Sequence, residues 1–154
     1  MCLRDRTCHP DGLQLSKILS LYGVDSGTFM ERHGHLFPEE NPRFGILSGG
    51  TKRLFEVLLL LAADTHFTLL DEPFSHIMPL HIEYVSEVIR RRSAVKGILV
   101  TDQQYEHVLD LADTLYLIQN GASRFIYFRV GLVRSGYLLS SVSRIVFFLF
   151  LIST

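Results

Sequence analysis

The chain has 154 residues, of which 47% are hydrophobic and 20% charged, a balance that excludes a disordered polymer and suits one ordinary globular domain. Its formal net charge of -1 leaves no electrostatic footprint for nucleic acid; the one basic cluster, Arg90-Arg91-Arg92, falls where a helix should end and complements the helix dipole. Cys2 and Cys8, with no signal-peptide pattern before them, read as free thiols, and the scattered histidines form no helical pair with a carboxylate at metalloprotease spacing.

In chain order, "LQLSKILSLYG" places Leu13, Leu15, Ile18, Leu19 and Tyr22 on one side of a short helix that Gly23 can end. The following "VDSGTFMERHGHLFPEENPRF" holds Gly27, Gly34, Pro38 and Pro42, which predicts turns around one or two helical turns. From Thr51 to Ala63 the sequence is apolar nearly all round beyond its first turn, the pattern of a helix buried inside a domain. "FTLL" (67 to 70) reads as a buried strand ending at Asp71-Glu72-Pro73. "PLHIEYVSEVIRRR" reads as a helix with Ile82, Val85, Val88 and Ile89 inward and Glu87 paired with Arg91.

A second strand, "GILVT" (97 to 101), a short helix, "EHVLDLAD", and a third strand, "TLYLIQNG" with Asn120-Gly121 as its turn, complete an alternation that predicts a parallel sheet. Ligands of such sheets sit beyond the carboxyl ends of the strands, where Asp71-Glu72 and Asp102-Gln103 fall. One more strand is expected at 124 to 130. The last apolar run, Ile145 to Ile152, is too short for a transmembrane helix and reads as a buried strand or an exposed apolar tail.

Two short stretches carry chemistry. At Ser48-Gly49-Gly50 small or absent side chains let backbone N–H groups and a hydroxyl approach phosphate oxygens at the start of a helix; an ordinary serine cap is the plainer alternative. Asp71, at the end of an apolar strand, offers the hard oxygen that Mg²⁺ prefers, and Glu72 beside it could orient or deprotonate water; an acidic strand end before Pro73 is the alternative.

Residues 47 to 121 resemble the second half of an ATP-binding cassette (ABC) ATPase domain. "LSGG" resembles the family signature, "FTLLDEP" its Walker B strand with catalytic glutamate, "FSHIMP" its D-loop, and "ILVTDQ" the strand leading to its switch position. The resemblance implies an α/β, partial P-loop NTPase fold of three layers with a parallel sheet. Residues 1–46 would be part of the helical subdomain, 47–121 the ATPase core, and 122–154 a C-terminal strand and apolar tail. It also implies ATP and Mg²⁺ as cofactors, with Asp71 on the metal, Glu72 and Gln103 as catalytic residues, and Ser48, Gly49 and Gly50 on nucleotide phosphate held by a second subunit. The implied partners are a second cassette in a head-to-tail dimer and transmembrane permease subunits, with no nucleic acid. The implied location is the cytoplasm or the cytoplasmic membrane face.

The sequence departs from the family pattern at several places, among them Thr51, which follows the signature where glutamine or glutamate is commoner. Gln103 stands where histidine is usual and cannot carry its positive charge, and Met78 replaces the usual D-loop aspartate; both weaken the expectation of efficient turnover. The only lysines, Lys17, Lys52 and Lys96, follow Ser, Thr and Val, so the Gly-Lys-Ser/Thr phosphate loop is missing. The expectation is therefore a fragment of an ABC ATPase that is inactive alone. The alternative is a degenerate interaction module that lends its signature to a partner.

Overall fold

The computed structural model describes residues 9–102, 105–119, 122–126 and 145–149. Cys2, Cys8, Gln103 and the Asn120-Gly121 turn lie outside the described residues.

Helix α1 (Leu15–Leu21) buries Leu15, Ile18 and Leu19. It stops where the sequence predicts: Gly23 takes φ +68°, its N–H donates to the Ser20 carbonyl, and the Val24 N–H returns to the Leu19 carbonyl. That pair of bonds satisfies carbonyls a helix end leaves orphaned, and glycine holds the left-handed conformation at little steric cost. Helix α2 (Ser26–His33) supplies the two expected turns, capped by Asp25, whose carboxylate accepts the Thr28 N–H at 2.7 Å. The bonds from Thr28 hold the Asp25 carboxyl below its ordinary range.

Helix α3 (Gly49–Ala62) begins two residues earlier than expected, because Ser48 is the cap and both glycines form the first turn. Leu54, Phe55, Val57, Leu58, Leu59 and Leu61 are fully or almost fully buried, so the helix is covered on nearly every side. Phe55 is its hub, with the rings of Phe29, Phe37 and Phe44 centred 5.8, 6.0 and 6.0 Å away. Tilted and edge-on aromatic packing of this kind stabilises beyond the area it buries. At the other end of α3, Lys96 Nζ donates to the Leu60 and Ala63 carbonyls at 3.0 Å each, and Arg92 Nε to the Leu61 carbonyl at 2.7 Å. Burial pushes the Lys96 ammonium down to about 8.

The remainder is β1 (Phe67–Asp71), α4 (Pro79–Ser93), β2 (Gly97–Asp102), α5 (Tyr105–Leu109), β3 (Thr114–Gln119), β4 (Ala122–Ile126) and β5 (Ile145–Leu149), which follows the predicted alternation as far as β3. Helix α4 buries the predicted Ile82, Val85, Val88 and Ile89, and Arg91 reaches Glu87 at 2.6 Å. Strands β1 and β2 are parallel, Phe67 opposite Gly97 and Asp71 opposite Thr101. The sheet order is β1-β2-β5-β3-β4, with β5 antiparallel to both β2 and β3. Strands β1, β2 and β3 therefore run the same way, and residues 145–149 of the apolar C-terminal run enter between β2 and β3 as a reversed strand. Among the described residues no helix is long and apolar enough to cross a membrane.

Strand β1 corrects one expectation. Thr68 and Leu70 are buried, but Phe67 and Leu69 remain 65% and 47% exposed. The strand lies at the sheet edge and only its Thr68/Leu70 side is packed, with the Thr68 hydroxyl donating to the Leu60 carbonyl of α3.

His33 joins the helical region to α4. The Tyr84 hydroxyl donates to the Arg32 carbonyl at 3.1 Å and accepts from His33 Nδ1 at 2.7 Å. Burial, reinforced by Arg32, His35 and Arg91, lowers the imidazole from 6.5 to about 4. Since the unfolded chain takes up this proton at higher pH than the folded one, the contribution to stability is complete above about 6.5 and falls as pH drops toward 4. Urea denaturation at pH 7, 5.5 and 4.5 should show wild type losing stability relative to His33→Asn on that descent; parallel profiles would contradict it.

Candidate functional site

The N-terminus of α3 carries the signature-like residues. Ser48 Oγ accepts the Thr51 N–H at 3.2 Å and shares a hydrogen bond with Thr51 Oγ1 at 2.9 Å. The serine cap is therefore real, yet capping occupies only one of the donors that a helix start leaves without an intrahelical partner. A Cβ added at Gly49 would meet nothing within 4 Å, so backbone at this turn is open to close approach. Gly50 differs: a Cβ there would stand 2.6 Å from the His76 carbonyl oxygen. The loop after β1 thus packs its backbone onto the second glycine.

Asp71 and Glu72 form the corner at the end of β1. The Glu72 N–H donates to the Thr101 carbonyl at 2.6 Å, and the Thr101 hydroxyl donates to Asp71 Oδ1. Ser75 returns to Glu72 twice, its N–H to the carbonyl at 3.2 Å and its hydroxyl to Oε2 at 3.3 Å. Two non-glycine residues here adopt left-handed backbone, Glu72 at φ +51° and His76 at φ +63°. Such conformations cost on the order of 1 kcal/mol or more each and persist only where surrounding bonds hold them.

Of the groups that hold them, sequence reasoning missed Arg53 and gave Asp102 only a place at a strand end. The Arg53 guanidinium, one turn into α3, donates to the carbonyls of Asp71 and of Glu72, the latter at 2.8 Å. Asp102, 1% exposed at the end of β2, accepts the Phe74 N–H at 3.0 Å. Both carried a readable signal: a charge inside an apolar helix or at the end of an apolar strand must find a partner when buried. The structure brings the Ser48-to-Gly50 turn and the Asp71-Glu72 corner together through Gly50 against His76 and through Arg53. Gln103 lies outside the described residues, and Met78 is exposed.

The donor set suits a hard cation completed by a ligand. No group of three or more His, Cys, Asp or Glu side chains able to hold a metal occurs among the described residues. Mg²⁺ needs no such cage, being held commonly by one or two carboxylates plus substrate phosphates and water, and the Asp71 carboxylate at a strand end can serve as one.

The Gly50 contact yields a direct test. Gly50→Ala sets a methyl group against backbone that cannot rotate away, so we expect a loss of roughly 1–3 kcal/mol of stability and a lower thermal midpoint. Gly49→Ala should leave the midpoint nearly unchanged, since nothing lies within 4 Å. Equal midpoints for the two variants would contradict the packing described.

Comparison with known proteins adds relatives. No protein-family model matches the sequence. The lipopolysaccharide export system ATP-binding protein LptB of Haemophilus influenzae is 36% identical over 81 residues, covering 52% of this chain and 33% of that protein. An uncharacterised ABC transporter ATP-binding protein of Rhizobium meliloti is 38% identical over 76 residues, 49% of this chain and 28% of that protein. LptB of Escherichia coli K12 is 34% identical over 76 residues, 49% of this chain and 32% of its own length. The chain thus spans about a third of the length of the curated relatives it matches. Among solved structures, an ATP-binding subunit of an ABC transporter superposes with TM-score 0.66 at 18% identity, covering 92% of this chain and 63% of that one. An SMC ATPase described in terms of ATP-driven dimerization superposes with TM-score 0.57 at 16% identity, covering 80% and 94%. These structural likenesses concern the fold. Motif order, fold and sequence relatives agree: over about half its length the chain is similar to ABC transporter ATP-binding proteins, and its fold is that of part of such a subunit.

Proposed function

We propose that the chain is part of an ATP-hydrolysing subunit of an ABC-type transporter or related system and that its candidate site is one side of a composite nucleotide site. The observation that carries this reading is the seating of Gly50 against the His76 carbonyl, which joins an open, anion-facing helix start to the loop leaving the Asp71-Glu72 corner. In this reading Ser48, Gly49 and Gly50 face the phosphates of ATP held by a second cassette in a head-to-tail dimer. Asp71 holds Mg²⁺ and Glu72 orients or deprotonates the attacking water, while Gln103 stands near the terminal phosphate. Bound ATP and Mg²⁺ supply the reacting phosphoryl group and the charge neutralisation; the protein contributes position and hydrogen bonds. Permease subunits and a place at the cytoplasmic membrane face follow from the same proposal.

The missing Gly-Lys-Ser/Thr loop sets the first expectation: titration of the purified chain with ATP and Mg²⁺ gives no saturable heat. Saturable binding would mean that nucleotide is held by residues other than those proposed. The second concerns Glu72. In a complete cassette, made by joining this chain to the phosphate-loop half of a relative such as Haemophilus LptB, Glu72→Gln should slow hydrolysis by about a hundredfold or more and leave ATP affinity unchanged. An unaltered rate removes Glu72 from the catalytic role.

A further inference from the structure

Away from this corner, α2, α3 and α4 line a half-open cleft of about 480 Å³. Val24 and Ala62 are half-buried on its floor above the buried Phe29 and Leu58, Val88 shows only an edge, and Arg32 and Arg91 stand exposed on its rim. The size suits an organic small molecule, and the lining mixes apolar side chains with charged ones, as a site for an amphipathic ligand requires. The charges are unequally engaged. Asp25 already caps α2, Arg91 pairs with Glu87 through one nitrogen, and Arg92 uses Nε on the Leu61 carbonyl. The Arg32 guanidinium has no hydrogen bond or ion pair among the described residues, which leaves a planar donor fork facing solvent beside an apolar hollow.

The local field is positive, as His33 reports: after burial, Arg32, His35 and Arg91 are what resist its protonation. The acidic groups nearby are Asp25 and Asp64 on the lining and Glu87 beside Arg91, while Tyr84 is engaged with His33 and the Arg32 carbonyl.

We propose that this cleft binds an organic anion with an apolar body, its headgroup taken by Arg32 and Arg91 and its chain lying on Val24, Ala62 and the edge of Val88. The site is independent of the nucleotide reading. A neutral molecule of the same shape fills the floor and leaves the arginines in water, so the headgroup charge is what discriminates.

The test uses the purified chain with 1-octanesulfonate, which stays anionic at every pH needed, and 1-octanol as its neutral counterpart. Octanesulfonate should saturate one site, shift the NMR signals of Val24, Ala62 and Val88, and bind at least about tenfold tighter than octanol. It should also raise the His33 titration midpoint above about 4, because an anion beside the imidazole favours its charged form. Arg32→Gln, an exposed change that leaves the fold intact, should weaken binding by about tenfold. Ala62→Leu should weaken it by filling the hollow. Equal affinity for octanol, an unmoved His33 midpoint, unchanged binding by Arg32→Gln, or shifts confined to Phe67 and Leu69 on the sheet edge would each overturn the proposal.

Discussion

A helix buried on nearly every side can meet water only at its ends, and α3 uses its two ends oppositely. Its last carbonyls are taken by Lys96 and Arg92, cations placed where the helix dipole is negative. Its first turn is left with one serine cap and two glycines. The positive end of the dipole and its unpartnered N–H groups are thereby presented at the surface, while the body is fixed by the aromatic ring cluster around Phe55. A mobile surface helix with the same first turn would not hold those donors in one place; burial makes the open end a positioned one.

The same helix fixes the carboxylate corner. Arg53 binds two successive carbonyls at the end of β1, and the His76 carbonyl closes on Gly50. Asp102 on the neighbouring strand takes the Phe74 N–H, and Thr101 takes the Glu72 N–H. These bonds converge on the segment with left-handed Glu72 and His76, so strain in one short stretch is offset by a charged group from each side. Displacement of the α3 N-terminus must therefore disturb the carbonyls of Asp71 and Glu72, a mechanical link between the two motifs within one chain.

Local sequence rules made most elements legible, because each has its own stop and start: Gly23 ends α1, Ser48 begins α3, and the inward face of α4 is written in its periodicity. Motif positions were legible for the same reason, being read from order and residue type. What local rules cannot carry is partnership across the chain. The link from Arg53 to Glu72 spans 19 positions and that from Phe74 to Asp102 spans 28, so no window contains both partners. Likewise "FTLL" reads as buried, but whether both faces of a strand are covered depends on which strands and helices lie beside it; at the sheet edge Phe67 and Leu69 stay exposed. The entry of residues 145–149 between β2 and β3 is the extreme case, since pairing order is a property of the whole sheet.

The two halves of the candidate site, joined by Arg53 and Gly50, differ in what each requires. The signature-like turn is complete as it stands: cap, glycines, dipole and buried body all come from residues 48 to 62 and the groups packed on them. On the proposed reading the corner is different, because a carboxylate for a metal and one for water would act only on a phosphate held within reach, and a Gly-Lys-Ser/Thr loop to hold it is missing from the sequence. An anion approaching the open turn needs nothing further from this chain, whereas an anion at the corner needs a second binding element. On the proposed reading the turn can serve nucleotide on another subunit even where the corner cannot turn over its own, since the two are joined by backbone contacts but differ in which phosphate they face.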